Sequence, residues 1–162
     1  MKTNETSKKA LLNALLNLCK AFNYDEISIS QICKESNLNR STFYRIFKSK
    51  DDILKEQLGK FMEEYYSYCV AHKFTDHQNN VYLFSFYRQH GELFMLMYKA
   101  RLFNELRDIC LANFPKNTRH KDDIYEKIYI TNGYLGVLLH WLETGMKESD
   151  ESMAECVSRL RH

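Results

Sequence analysis

The sequence predicts an all-α protein, and three observations carry that expectation. One proline (Pro115) and five glycines interrupt 162 residues, too few turn formers for a sandwich or barrel of many short strands. Apolar residues recur at three- and four-residue steps, the period of a helix face. Capping residues stand before several of these stripes. About nine helices are expected, in an N-terminal three-helix domain over residues 1–50 and a larger helical domain over residues 51–162.

Leu11, Leu15, Leu18, Cys19 and Phe22 form one stripe on a first helix from about Ser7 to Phe22, which Asn23 ends in the left-handed conformation. In "SISQICKES", Ser28 and Gln31 make a capping box that opens a short helix with Ile29, Ile32 and Cys33 facing inward. Asn37 supplies a tight turn, and Asn39 caps a third helix reaching about Phe47. Ser49 and Asp52 cap a fourth, which starts at Lys50 and runs apolar from Ile53 to Val70 to about residue 72, as a strut shared between the domains. The polar stretch from His72 to Asn80 reads as a loop. Beyond it, "VYLFSFYRQHGELFMLMYKARLFNELRDICLANF" reads as helix broken at Gly91, and a second loop spans Pro115 to His120. A long helix then runs from about Asp122 to a glycine stop at Gly145, and Ser149 caps a last one to about Arg161.

Composition excludes several classes of function. The five cysteines are odd in number and far apart, with no Cys-x-x-Cys pair, so they read as small apolar residues or a redox thiol rather than disulfides or a zinc site. No apolar run is long enough to span a membrane, and the N-terminus lacks a signal-peptide pattern, so a cytoplasmic protein is expected. There is no Gly-x-Ser-x-Gly, P-loop or dinucleotide fingerprint; His140 and Glu143 make a pair and not a metal site. No enzymatic activity, cofactor or metal is expected. Residues 1–60 hold 11 Lys/Arg against 7 Asp/Glu, whereas residues 61–162 hold 12 against 14. The basic part and the mildly acidic part suit different partners.

The short helix, turn and second short helix, braced by a longer one, have helix-turn-helix geometry. At about 100° per residue, Phe43, Ile46 and Phe47 share one arc of the third helix, and Ser41, Tyr44, Arg45 and Lys48 share the opposite one. A solvated face also carries donors, but ordinarily with carboxylates among them. Between Leu38 and Lys50 there is no Asp or Glu, as a surface facing phosphate requires.

The stretch "ISISQICKESNLNRSTFYRIFKSKDDIL" resembles the DNA-binding region of TetR-type transcriptional regulators, in its hydroxyl-capped second helix, its Phe-Tyr pair followed by a basic residue and Phe, and its Ser-Lys-Asp start of the next helix. The end, "NGYLGVLLHWLETGMKESDESMAE", resembles the C-terminal region of a subgroup that includes the dihydroxyacetone-kinase type of regulator. The resemblance implies a homodimeric repressor that grips an inverted-repeat DNA operator through two third helices and is released by an effector. It implies phosphate contacts from Tyr44 and Lys50, with Ser30 and Thr42 near the backbone, and Asn39, Arg40, Ser41 and Arg45 nearest the base edges or flanking phosphates. The alternative partner for the second domain is a protein, which would make the chain a co-regulator.

Seventeen of the 22 aromatic residues follow residue 60. Phe84, Tyr87, Phe94, Tyr98, Phe103 and Tyr134 are candidates to line an effector pocket, the competing reading being that they fill the core. Gly133 and Gly136, with Leu139, Trp141 and Leu142, suggest a face for a second copy of the chain or for close packing within one copy. The family places its dimer interface there.

Overall fold

In a computed structural model of the chain, residues 4–113 and 124–160 are described, and every regular element among them is helical. In order these are α1 (Asn4–Leu18), α2 (Ile29–Glu35), α3 (Arg40–Ile46), α4 (Lys50–His72), α5 (Asp76–Gln89), α6 (Gly91–Lys99), α7 (Phe103–Ala112), α8 (Ile124–Glu143) and α9 (Asp150–Leu160), with a 3-10 turn at Tyr24–Glu26. The fold is all-α. The chain forms two compact units, Met1–Gly59 with Leu96–Leu102, and Lys60–Met95 with Phe103–His162.

In the first unit the local chemistry of each helix end is explicit. Ser28 Oγ accepts the Gln31 N–H at 3.3 Å while Gln31 Oε1 accepts the Ser28 N–H at 2.9 Å, closing the capping box of α2. At the other end Asn37 takes φ 53°, and the Leu38 N–H reaches back to the Cys33 carbonyl at 2.9 Å. This left-handed closure reverses the chain into α3. Leu11, Leu15, Ile32, Phe43, Leu54 and Leu58 are at most 1% exposed and hold α1 to α4 together. Each contributes about 1.5–3 kcal/mol of burial.

In the second unit α5 packs on α9 and α7 on α8. Trp141, 1% exposed, meets Phe84 edge to face at 5.3 Å. The Arg88 guanidinium lies 4.7 Å over the Trp141 ring, donates to Asp150 and to the carbonyls of Met146 and Glu148, and so fastens the α8–α9 turn. In that turn Gly145 has φ +85° and the Met146 N–H bonds the Trp141 carbonyl at 2.8 Å.

Three local expectations need correction. The first helix ends at Leu18, and Asn23 is extended (φ −65°, ψ 143°), because its carbonyl opens the 3-10 turn by accepting the Glu26 N–H. The expected loop from His72 to Asn80 shrinks to Lys73–Thr75, since Thr75 and Gln78 form a second capping box and start α5. The helical stretch after Gly91 breaks again at Arg101, which adopts φ 60° while the Leu102 N–H bonds the Met97 carbonyl. Apart from these, α4 is continuous, and the division between the two units falls within it, after Gly59. The loop expected at Pro115 to His120 and the helix start at Asp122 lie outside the described residues, as does Arg161.

Candidate nucleic-acid interface

Two helix caps and an apolar underside fix how α3 presents itself. Phe43 is 0% and Phe47 6% exposed, and their rings lie 6.2 Å apart beneath the helix. The opposite side is open: Arg40, Ser41, Tyr44, Arg45 and Lys48 are exposed, Tyr44 by 50%. Thr42 and Ile46 sit at the margin, half-buried. Ser30 is exposed on α2 and Asn39 at the cap of α3.

Asn39 Oδ1 accepts both the Thr42 N–H and the Ser41 hydroxyl, each at 2.7 Å. Arg40 lies 5.9 Å from the Tyr44 ring centroid, and the neighbouring Tyr44 side chain holds the guanidinium above its ordinary pKa. Asp52 closes the far side by accepting the N–H groups of Lys48 and Ser49, both at 2.9 Å. Partial burial pushes its pKa up, but these bonds prevail and hold the carboxyl below its usual range. Asp52 is thus turned to capping, and from Asn39 to Ser49 the exposed face of α3 carries cations and no carboxylate.

Lys50 has a different environment. Its ammonium donates to the carbonyls of Tyr24 at 2.6 Å, Ile27 at 2.9 Å and Asp25 at 3.3 Å, and lies 4.4 Å from the Tyr24 ring centroid. The Tyr24 hydroxyl in turn donates to Asp51. Tyr24 did not stand out in the sequence and Asp51 did so only as part of the Ser-Lys-Asp start of α4; both belong to this clamp on the segment leading into α2. All three ammonium hydrogens have intramolecular acceptors.

In the second unit the pocket candidates separate. Phe84, Tyr87 and Phe94 are at most 3% exposed, Tyr87 and Phe94 meeting at 4.5 Å, so they fill the core. Tyr98 is 38% exposed and belongs to the segment counted with the first unit. Tyr134 lines an apolar groove of about 470 Å³ between α8 and α9, with Ile128, Tyr129, Gly133, Val137, Val157 and Leu160 among the other lining residues. Its hydroxyl donates to the buried Asn80 at 2.9 Å. Phe103 lines a smaller hollow of about 230 Å³ with Gly136 and Leu139.

The interface candidates separate too. Gly133 and Gly136 are exposed, and a Cβ on either would meet nothing within 4 Å. Trp141 (1% exposed) and Leu142 (4%) are buried within their own unit. What sequence reasoning missed is the stripe beside the glycines: Tyr125 is 79% and Tyr129 74% exposed, with Ile124 (53%) and Ile128 (39%) next to them and Leu160 (63%) on α9. Their four-residue steps, 124–128–132–136 and 125–129–133–137, were the available signal.

All five cysteines are free, burial pushing the Cys110 thiol up to about 11. Among the described residues no cluster of three metal-ligating side chains occurs, and no helix is long and apolar enough to cross a membrane.

Two family models match this chain, "Bacterial regulatory proteins, tetR family" over residues 11–56 and "Transcriptional regulator C-terminal region" over residues 94–162. An uncharacterized HTH-type transcriptional regulator of Bacillus subtilis, YxbF, is 25% identical over 96% of the chain. The chain spans 45% of that relative's length. A TetR transcriptional regulator from Streptococcus agalactiae has a similar fold (TM-score 0.78, 18% identity, 98% of this chain and 95% of that one). Lin0861 from Listeria innocua does as well (TM-score 0.82, 15% identity, 95% and 88%). The helix-turn-helix, the helical second unit and the matches to both ends of the sequence converge: the chain belongs to the TetR family of transcriptional regulators.

Proposed function

We propose that the protein is a cytoplasmic, homodimeric, sequence-specific DNA-binding repressor, released from an inverted-repeat operator by an effector. The observation that carries this reading is the carboxylate-free exposed face of α3, with Arg40, Ser41, Tyr44, Arg45 and Lys48 on a rigidly capped helix. Such a face enters a major groove, releases counterions from phosphate and presents side chains to base edges. Tyr44 and Lys48 serve phosphates, Ser30 and Thr42 lie near the backbone, and Asn39, Arg40, Ser41 and Arg45 lie nearest the bases. Lys50 orients the approach to α2, since its hydrogens are engaged by three carbonyls.

The dimer forms through the exposed α8 stripe with Gly133, Gly136, Leu139 and Leu160. Two linked modules on one duplex gain affinity by effective concentration, which a single small module lacks. An effector acts on the second unit and alters the separation of the two recognition helices. The same exposed stripe favours one other reading, a co-regulator whose second unit docks a partner protein.

Selection of bound duplexes from a random DNA pool, with sedimentation of the protein alone, tests this. A dimer that enriches an inverted repeat is expected, and Tyr129→Lys should yield monomers that bind the repeat at least tenfold more weakly. A wild-type monomer with no enriched site would favour the co-regulator.

A further inference from the structure

We propose that Ser41 reads an exocyclic amine in the major groove, so that each half-site carries adenine or cytosine, rather than guanine or thymine, at the position facing it. This deepens the proposed DNA-binding function and rests on it.

The inference comes from the direction of one hydrogen bond. Asn39 accepts the Thr42 backbone N–H at 2.7 Å. A backbone amide only donates, so the side-chain atom there is the amide oxygen and not its nitrogen. The Ser41 hydroxyl lies 2.7 Å from that same oxygen. Two acceptors do not pair, so Ser41 directs its hydrogen at Asn39. What the exposed hydroxyl turns outward is its lone pairs.

A serine with a free rotor donates or accepts and reads any base. Here the cap of α3 removes that freedom, and the same bond that starts the helix sets the polarity of the reader. The charged neighbours have the opposite polarity. Arg40, Arg45 and Lys48 only donate, while a tyrosine hydroxyl such as that of Tyr44 does either. Across this face Ser41 is the hydroxyl whose hydrogen is already committed, so it meets a base edge as an acceptor. In the major groove adenine N6 and cytosine N4 are donors, whereas guanine O6 and thymine O4 are acceptors. The arginines match guanine. Ser41 matches the amine bases, and its lone pairs face those of the keto oxygens unfavourably, at roughly tenfold in affinity per half-site.

The test is selection from a random duplex pool by the wild type, Ser41→Ala, Ser41→Thr and Asn39→Gly. The wild type should enrich an inverted repeat with adenine or cytosine at one position per half-site. Ser41→Ala should relax that position to all four bases and leave the rest of the repeat intact, while Ser41→Thr should keep the preference. Asn39→Gly caps nearly as well but frees the hydroxyl hydrogen, so guanine and thymine should be admitted at that same position. A wild-type repeat whose preferences do not move in Ser41→Ala, or whose Ser41-dependent position is guanine or thymine, overturns the inference and spares the DNA-binding reading. A wild type that enriches no repeat overturns both.

Discussion

Lys50 resembles a DNA contact, and its ammonium is engaged within the chain. Its three carbonyl acceptors come from the 3-10 turn and the residue after it, 23 to 26 positions away in sequence. Local pattern carries no trace of such partners, which is why spacing showed the basic residue and not its task. The caps were legible because their chemistry is local: Ser28 with Gln31, Asn39 with Thr42 and Ser49 with Asp52 each span three residues. Lys50→Met should therefore cost about 1–2 kcal/mol of stability, the scale of a charged hydrogen-bond donor lost to partly solvated carbonyls. Thermal denaturation reads that loss. The salt dependence of DNA binding should keep its wild-type slope, because no phosphate contact is removed; a shallower slope with unchanged stability would assign Lys50 to phosphate instead.

At the scale of elements, the turn between α2 and α3 decides how the recognition helix leaves its support. Asn37 at φ 53° is required there, and its left-handed geometry was foreseeable because Asn is among the few residues that accept it. Asn37→Gly should leave stability and DNA binding within a few tenths of a kcal/mol of wild type. Asn37→Ile, which places a branched Cβ in that conformation, should lower stability by about 1–2 kcal/mol and weaken DNA binding with it. Denaturant titration of the three proteins checks the order, and equal stability of the Ile variant would show that the turn adapts. Arg101 marks the limit of the same reasoning. It takes φ 60° with no glycine, asparagine or proline to announce it, and the break between α6 and α7 is imposed by its own N–H bonding the Tyr98 carbonyl and that of Leu102 bonding the Met97 carbonyl. Thr75 was legible, as the same hydroxyl-to-glutamine spacing as Ser28, but it was hidden inside a polar run.

For the whole molecule, periodicity predicted that the chain is helical, and the motif residues between Ile27 and Leu54 carried the resemblance of its first third to a DNA-binding unit. Periodicity did not separate residues that fill a core from residues that line a surface. Trp141 and Tyr129 lie on the same helix twelve residues apart, yet one is 1% and the other 74% exposed, a difference set by which neighbours cover each side of α8. The proposed division of labour, base contact on α3 and self-association on α8 and α9, is tested most directly by amide chemical-shift mapping of the protein as its selected duplex is added. The largest changes are expected at Ser30, from Asn39 to Arg45 and at Lys48. Largest changes on α8 or α9, with α3 unperturbed, would contradict it.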